Sequence, residues 1–267
     1  MGEVVYNSIG KSYNRNRAAD NRVLHTIKTL LDLPAGSLIA DVGAGTGNYS
    51  NALADIGYTV NAIEPSEKMR YQATPNSNVT WISGFAESIP LPDKSVDGVI
   101  VVLALHHFSS IQNAAKEMHR ICPDGPIVIF TLDPREGKVP WFKDYFPTIY
   151  QQDFITFKSI DVVSGLIAVD KRWSKTIKRF PLPHDLSDKN MYSAWREPER
   201  YLDKTFRQNT SGFALASSSV VEKGIALLQK DLETGEWDRK HGFLREQEYF
   251  DAGFRFIKCV LPQPPMA

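Results

Sequence analysis

The sequence predicts an α/β fold built on a doubly wound, mostly parallel sheet, and three observations carry that prediction. The apolar run Ser37-Leu38-Ile39-Ala40 empties into DVGAGTG at 41 to 47 and then into the helix-compatible stretch Asn48 to Ile56. That is the order of a first βα unit, in which glycines let the backbone come close to a bound molecule. From there to Leu132, short apolar runs alternate with stretches of helical period, which is the pattern of a parallel sheet. Gly98 to Leu103 is apolar on both faces, as a central strand covered by helices on either side must be.

The elements follow in order. Val23, Leu24, Ile27, Leu30 and Leu31 recur at helical spacing and predict a helix over 16 to 32 that stops near Pro34. Strand one is 37 to 42 and its helix 47 to 56. Strand two, 58 to 63, alternates along Thr59-Val60-Asn61-Ala62-Ile63 and ends on Glu64. A short helix starts near Ser66, Val79 to Ile82 is strand three, and 98 to 103 is strand four. A helix around 110 to 120 leads through the turn Cys122-Pro123-Asp124-Gly125-Pro126 into strand five, Ile127 to Leu132. Beyond Leu132 the rhythm stops. Pro134 to about Phe213 holds 14 of the 29 aromatic residues, more than its share of length, in a stretch too long for a plain loop. It predicts a mostly helical insertion after strand five that covers the site, with Trp141, Tyr145, Phe146, Tyr150, Trp173, Tyr192 and Trp195 as lining residues or as the insertion's own small core. A helix resumes over Ser217 to Leu232, Gly235-Glu236-Trp237 turns out of it, and Tyr249 to Ile257 predicts a strand pair about a turn at Asp251 to Gly253. The domain division is therefore a core of 1 to 133 and 214 to 267, interrupted by an inserted lid of 134 to 213.

Composition excludes several classes. With 267 residues and 42% hydrophobic content the chain can bury a substantial core. Lys+Arg and Asp+Glu are equal at 31 each, so no net field favours nucleic acid or an anionic membrane surface. No apolar run approaches the length of a membrane helix, and MGEVVYNSIGK lacks the apolar stretch of a secretory signal. Cys122 and Cys259 have no metal-ligand spacing, so no metal is expected and a reduced, cytoplasmic setting fits.

The glycine turn separates the possible ligands. A GxGxxG fingerprint counted from Gly43 needs glycine at Asn48, and counted from Gly45 it needs glycine at Ser50; a phosphate loop needs lysine after Gly47. None of these is met. An acidic residue followed by GxGxG remains, a turn shaped for a ligand without a pyrophosphate.

This turn resembles motif I of the class I S-adenosylmethionine (AdoMet) dependent methyltransferases, and the resemblance extends along the chain. Glu64-Pro65-Ser66-Glu67-Lys68-Met69 resembles the family's acidic-x-Ser-x-x-Met step, Gly84 to Leu91 its GDAExLPF segment, Ser95 to Ile100 its SFDxV strand, and Leu105-His106-His107 the LHH of its UbiE-like, type 11 branch. Tyr6-Asn7-x2-Gly10-x2-Tyr13-Asn14-x2-Arg17 is similar to its YDxxAxxYDxxR lead-in. The resemblance covers about 5 to 133 and 214 to 261. It implies a Rossmann-like, seven-stranded sheet with an antiparallel last strand, and AdoMet as cofactor.

It also implies site residues. Glu64 would hold the ribose hydroxyls, and Pro65 and Met69 would wall the adenosine. Gly43, Ala44 and Gly45 would give the backbone its close approach, with Gly47 bringing the helix onto the sheet. Ala86 would meet an adenine ring nitrogen through its N–H, and Leu103 would close the end of strand four. Phe85 departs from the family's Asp or Asn, so its ring would stack on adenine or pack the end of strand three. Asp41 would accept N–H groups from the glycine turn near the positive methionine end, while Tyr13 and Arg17 would approach the methionine carboxylate.

Methyl transfer from a sulfonium is a direct displacement, and a base is needed only when the acceptor keeps its proton. His106 and His107 beyond strand four and Asp133 beyond strand five are the candidate bases. The acceptor is expected to be a small molecule, apolar or aromatic, bearing a hydroxyl, amine or carboxylate. Two other readings stay open: a noncatalytic AdoMet-fold protein that binds a partner, and an NAD(P)-dependent oxidoreductase in which Glu64 holds the adenosine ribose.

Overall fold

The computed structural model describes residues 18 to 261 except 209, 211, 214 and 215, so Tyr13 and Arg17 lie outside the described residues. Its main sheet has seven strands: β1 (Leu38–Val42), β2 (Thr59–Ile63), β3 (Val79–Ile82), β4 (Gly98–Val102), β5 (Ile127–Leu132), β6 (Ser174–Arg179) and β9 (Phe254–Val260), in the order β3-β2-β1-β4-β5-β9-β6. The first five are parallel, and β9 runs antiparallel between β5 and β6. The strand order reverses at β1, whose neighbours are β2 and β4, and a doubly wound sheet opens its crevice at such a switch point.

Alternation along the strands sorts the core onto two faces. Ile39, Ile100, Val128 and Phe130 face one side with helices α1 (Asn21–Leu31) and α2 (Asn48–Asp55). Ala40, Val99, Val101, Ile127 and Ile129 face the other, with Ala114 and Met118 of α4 (Ile111–Ile121) and Val163 of α6 (Ile160–Ile167). Between them in sequence lie the short α3 (Glu67–Arg70) and α5 (Pro147–Thr156). Helix starts are capped as their sequences allow: Asp20 accepts the Arg22 N–H at the head of α1, and Ser110 accepts the Asn113 N–H at the head of α4. The first helix accordingly begins at Asn21, inside the expected 16 to 32.

Two expectations need correction. The predicted strand pair at Tyr249 to Ile257 is not a pair: β8 (Tyr249–Phe250) bonds to β7 (Leu182–Pro183) in a separate ribbon, and the partner of β9 is β6. The segment 134 to 213 therefore contributes a strand to the main sheet as well as helices. β6 reads Ser-Lys-Thr-Ile-Lys-Arg and every position is exposed, so no apolar alternation announces it. Its pairing with β9 fixes it, and its lysines guard the open edge of the sheet.

The insertion's rings are core. Trp195 is 1% exposed and stacks with Phe250 at 5.5 Å, Trp141 donates its indole N–H to the Trp195 carbonyl at 2.7 Å, and Phe142 stacks with Tyr201 at 5.9 Å. Hydroxyls buried with them find partners: Tyr145 donates to Asp231 at 2.9 Å and Tyr192 to Asp153 at 2.6 Å. Trp173 packs on the opposite face against His119, 4.1 Å away. The chain continues through α7 (Lys204–Gln208), α8 (Ser218–Glu233) and α9 (Glu236–His241) before β8. Among the described residues no helix is long and apolar enough to cross a membrane.

Candidate active site

The carboxyl ends of β1 to β4 open into a cleft of about 750 Å³. Its floor is the glycine turn, held by hydrogen bonds to the end of β2. The N–H groups of Gly43 and Ala44 both donate to the Ile63 carbonyl, at 2.9 and 3.0 Å, and the Gly45 N–H donates to Glu64 Oε2 at 3.0 Å. Glu64 Oε1 accepts the Ser66 N–H at 2.9 Å, so one carboxylate ties the turn to the head of α3. Gly43 has φ +80°, and a Cβ there would lie 2.6 Å from that of Ala104; Gly47 has φ +79°, and a Cβ there would strike the Trp81 ring at 2.6 Å. Both glycines let the turn sit tight on its neighbours, and Gly47 brings α2 onto β3 as expected.

Asp41 departs from its expected partners. The N–H groups of Gly43, Ala44 and Gly45 reach across to β2, and the Asp41 carboxylate accepts the Ser50 hydroxyl at 2.6 Å. It is 2% exposed; burial pushes its pKa up to about 7, against the Ser50 hydrogen bond and together with the charge of Glu64. Burial also raises Glu64, opposed by the Ser66 and Gly45 N–H groups and by Arg70.

Around this floor stand Pro65, Met69, Phe85, Ala86, Leu103 and His107. Met69 is buried at 3%, whereas Phe85 leaves 61% of its surface open. Leu103 has φ +52°, a conformation that costs a β-carbon-bearing residue of order 1 to 3 kcal/mol and persists where surrounding structure enforces it. Here its N–H is held by the Phe130 carbonyl at 2.8 Å.

Comparison with known proteins fixes the family. Residues 40–130 match the family described as "Methyltransferase domain". A demethylmenaquinone methyltransferase of Tropheryma whipplei is 28% identical over 152 residues, 53% of this chain and 63% of that relative, so the chain spans less than two thirds of its length. An uncharacterized methyltransferase of Staphylococcus carnosus is 35% identical over 160 residues, 59% of this chain and 75% of the relative. The crystal structure of a putative methyltransferase from an antibiotic biosynthesis pathway of Anabaena variabilis superposes with a TM-score of 0.89 at 47% identity, covering 92% of this chain and 99% of that one. The chain belongs to the class I AdoMet-dependent methyltransferases, in their type 11 branch.

The cofactor of this methyltransferase family is AdoMet, and the residues present fit it. A carboxylate offers about four acceptor positions, and the two N–H donors on Glu64 leave room for two hydroxyls. Pro65, Met69, Phe85 and Ala86 give the apolar wall a purine needs, and the carboxylates of Asp41 and Glu64 suit a cationic sulfonium.

The candidate bases are not brought together. His107 lines the cleft, while His106 turns its ring against Phe157 at 4.7 Å and against His107 at 3.8 Å. The protein packed around His107 lowers its imidazole pKa, although the residue stays exposed at the cleft. Asp133 is 1% exposed and lies away from the cleft lining: it accepts the Arg135 N–H and guanidinium at 3.0 Å each and the Ile160 N–H at 2.9 Å, anchoring the start of α6.

None of the seven insertion rings singled out from the sequence lines the cleft; among the described residues the Phe, Tyr and Trp rings that do are Tyr49, Phe85 and Phe108. Packing several large rings against each other removes more apolar surface from water than facing them into an open cleft. Sequence reasoning missed Tyr49, Phe108 and Asp188. Phe108 follows the LHH run directly and was legible there; Asp188, in the loop after β7, had no local signal. Among the described residues no group of three or more His, Cys, Asp or Glu is placed to hold a metal, and Cys122 and Cys259 are buried and unpaired with each other.

Proposed function

We propose that this protein transfers a methyl group from AdoMet to a small-molecule acceptor by direct displacement in the cleft at the ends of β1 to β4. The observation that carries the reading is the junction of Gly45 and Glu64, where a glycine turn without pyrophosphate geometry is bonded to a buried carboxylate at 3.0 Å. In this reading Glu64 holds the ribose hydroxyls, and Pro65 and Met69 wall the adenosine. Phe85 stacks on the purine, the Ala86 N–H meets a ring nitrogen, and Gly43, Ala44, Gly45 and Leu103 bring backbone close. Asp41 sits near the positive methionine end. Tyr13 and Arg17, outside the described residues, keep the role at the methionine carboxylate that the family resemblance implies.

When bound, AdoMet supplies a methyl group made electrophilic by a sulfonium, whose departure leaves a neutral thioether. The chain's part is to align a nucleophile and exclude water, and such positioning supplies on the order of 7 to 11 kcal/mol. His107 is the imidazole facing the cleft. Its lowered pKa holds it neutral at pH 7, able to orient an acceptor hydroxyl or amine but weak as a base. The segment 134 to 213 serves as the acceptor-side subdomain, through the loop that carries Asp188 to the cleft.

Calorimetric titration with AdoMet, its demethylated product AdoHcy and NADH tests the cofactor. The expected result is binding of the first two and none of NADH; NADH alone binding means an oxidoreductase. AdoHcy release across a panel of phenols, amines and small acids then tests turnover. Binding with no release across that panel points to a noncatalytic protein of this fold.

A further inference from the structure

We infer that Glu87 is a positioning residue of the methyl-transfer site, tying the wall that faces the purine to the wall that carries His107, an inference that rests on the methyltransferase reading. Glu87 follows Phe85 and Ala86 in the loop after β3, and all three line the cleft. The loop after β4 supplies His107, Phe108 and Ser109 to the same lining. One oxygen bridges the two loops. Oε1 of Glu87 accepts the Ser109 hydroxyl at 2.9 Å and the Ser110 N–H at 3.0 Å.

The pairing completes the head of α4. Ser110 is the N-cap of that helix, and its side chain accepts the Asn113 N–H. In a capping box a Glu or Gln three residues on reaches back to the N-cap N–H. Asn113 occupies that position, and Glu87 supplies the carboxylate from another loop, where it also meets the positive end of the helix dipole. The Glu87 side of the bridge is held firmly. Further along the same loop, Glu117 of α4 accepts the Ile89 N–H at 2.8 Å, and Arg120 donates to the carbonyls of Ile89 and Leu91 at 2.8 and 2.7 Å. Arg120 and Glu117 are themselves paired at 2.8 Å. The other side is one 3-10 turn, Leu105–His107, closed by local bonds: the His107 N–H donates to the Ala104 carbonyl at 2.9 Å and the Phe108 N–H to the Leu105 carbonyl at 3.2 Å.

What the bridge positions follows from what the second loop touches. The Phe108 ring lies over the glycine turn, 3.4 Å from where a Cβ at Gly43 would stand. His107, the residue before it, is the imidazole of the cleft lining. Hydrogen bonds to an ionised acceptor are stronger than neutral ones, so a carboxylate oxygen that takes two donors restrains this loop more than a neutral acceptor would. Loss of the Glu87 carboxylate therefore frees the segment that covers Gly43 and carries the imidazole, while the clamped loop after β3 stays in place.

The test uses full-length protein, first free of cofactor and then titrated with AdoHcy. The chain has six histidines, so the imidazole signal of His107 is identified in the nuclear magnetic resonance spectrum by its absence from His107→Gln. Glu87→Ala is expected to move that signal in cofactor-free protein and to weaken AdoHcy binding at least about fivefold, on the scale of hydrogen bonds lost to a charged group. Glu87→Gln, whose amide oxygen accepts from the same donors, should leave the signal in place and AdoHcy affinity within about threefold of wild type. Ser109→Ala removes one of the two bonds from the other side and should move the signal too; where Glu87→Ala does not fold, an unmoved signal in Ser109→Ala overturns the inference. A His107 signal unmoved in folded Glu87→Ala overturns it whatever the affinity, since Glu87 then touches AdoHcy itself or serves stability alone, and so does an AdoHcy affinity within about twofold of wild type in that variant. A signal moved equally by Ala and Gln also overturns it, because the charge of Glu87 and not its accepted bonds then reaches His107. Failure of the wild type to bind AdoHcy strikes the methyltransferase reading instead, and the signal in cofactor-free protein still tests the bridge.

Discussion

Glu64 does two jobs with one carboxylate, since it braces the Gly45 and Ser66 N–H groups and faces the cleft. Glu64→Ala is expected to weaken AdoMet binding by roughly 1.5 to 3 kcal/mol, the worth of a hydrogen bond to a charged group. Calorimetry checks it, and an affinity within twofold of wild type would falsify the ribose role. Asp153 gives a prediction of a different kind. It is buried beneath Tyr192, which donates to it at 2.6 Å, and burial, against that hydrogen bond, pushes its pKa from 3.8 up to about 7. A carboxyl that holds its proton more tightly when folded stabilises the fold most below the unfolded pKa and loses that contribution as pH rises through the folded one. Wild-type stability should therefore fall between about pH 4 and 7, and Asp153→Asn should flatten part of that fall. Melting temperatures at pH 5 and 7.5 decide it; an unchanged difference between the two pH values would mean that Asp153 is ionised in the fold. At this scale the sequence told most about the residues of the cleft floor and least about the candidate bases. Adjacent His106 and His107 have the same local chemistry, and only the packing of Phe157 separates them.

Among the elements, the insertion shows which of two roles an aromatic-rich segment takes: its rings form core and do not line the cleft. Its rings are spent on a core that also includes Phe250 and Trp237, and Trp195 is fully enclosed within it. Trp195→Ala should cost about 3 to 5 kcal/mol of stability by leaving a cavity. Because Trp195 does not line the cleft, AdoHcy affinity of the folded fraction should be unchanged, and a shift of more than about threefold would reopen the lid reading. β6 carries the opposite lesson. It has one apolar residue, Ile177, and lies exposed at the sheet edge, so alternation could not reveal it. Its Lys175 and Lys178 are expected to keep that edge from pairing with another chain. Replacing both by valine should raise aggregation, read by light scattering during refolding; equal scattering would mean that the edge is protected by something other than charge.

For the whole molecule, the cleft is a property of the sheet's switch point, and its occupancy should couple to global stability. A ligand that binds only the folded state at 100 times its Kd adds about 2.7 kcal/mol. AdoHcy at that excess should raise the melting temperature, and NADH at the same concentration should leave it unchanged; a rise with NADH and none with AdoHcy would reverse the cofactor assignment. The sequence by itself determined the βα order through β5, the glycine turn and Glu64, because each is written in local periodicity and the residues that form the cleft floor follow one another strand by strand. Only the tertiary structure decided the sixth strand, the burial of the insertion's rings, which of the two histidines lines the cleft, and the presence of Asp188 there. Those depend on contacts between distant parts of the chain. The hydrogen bond from Ser187 to Asp20, which spans 167 residues and brings the Asp188 loop to the head of α1, leaves no pattern in either segment alone.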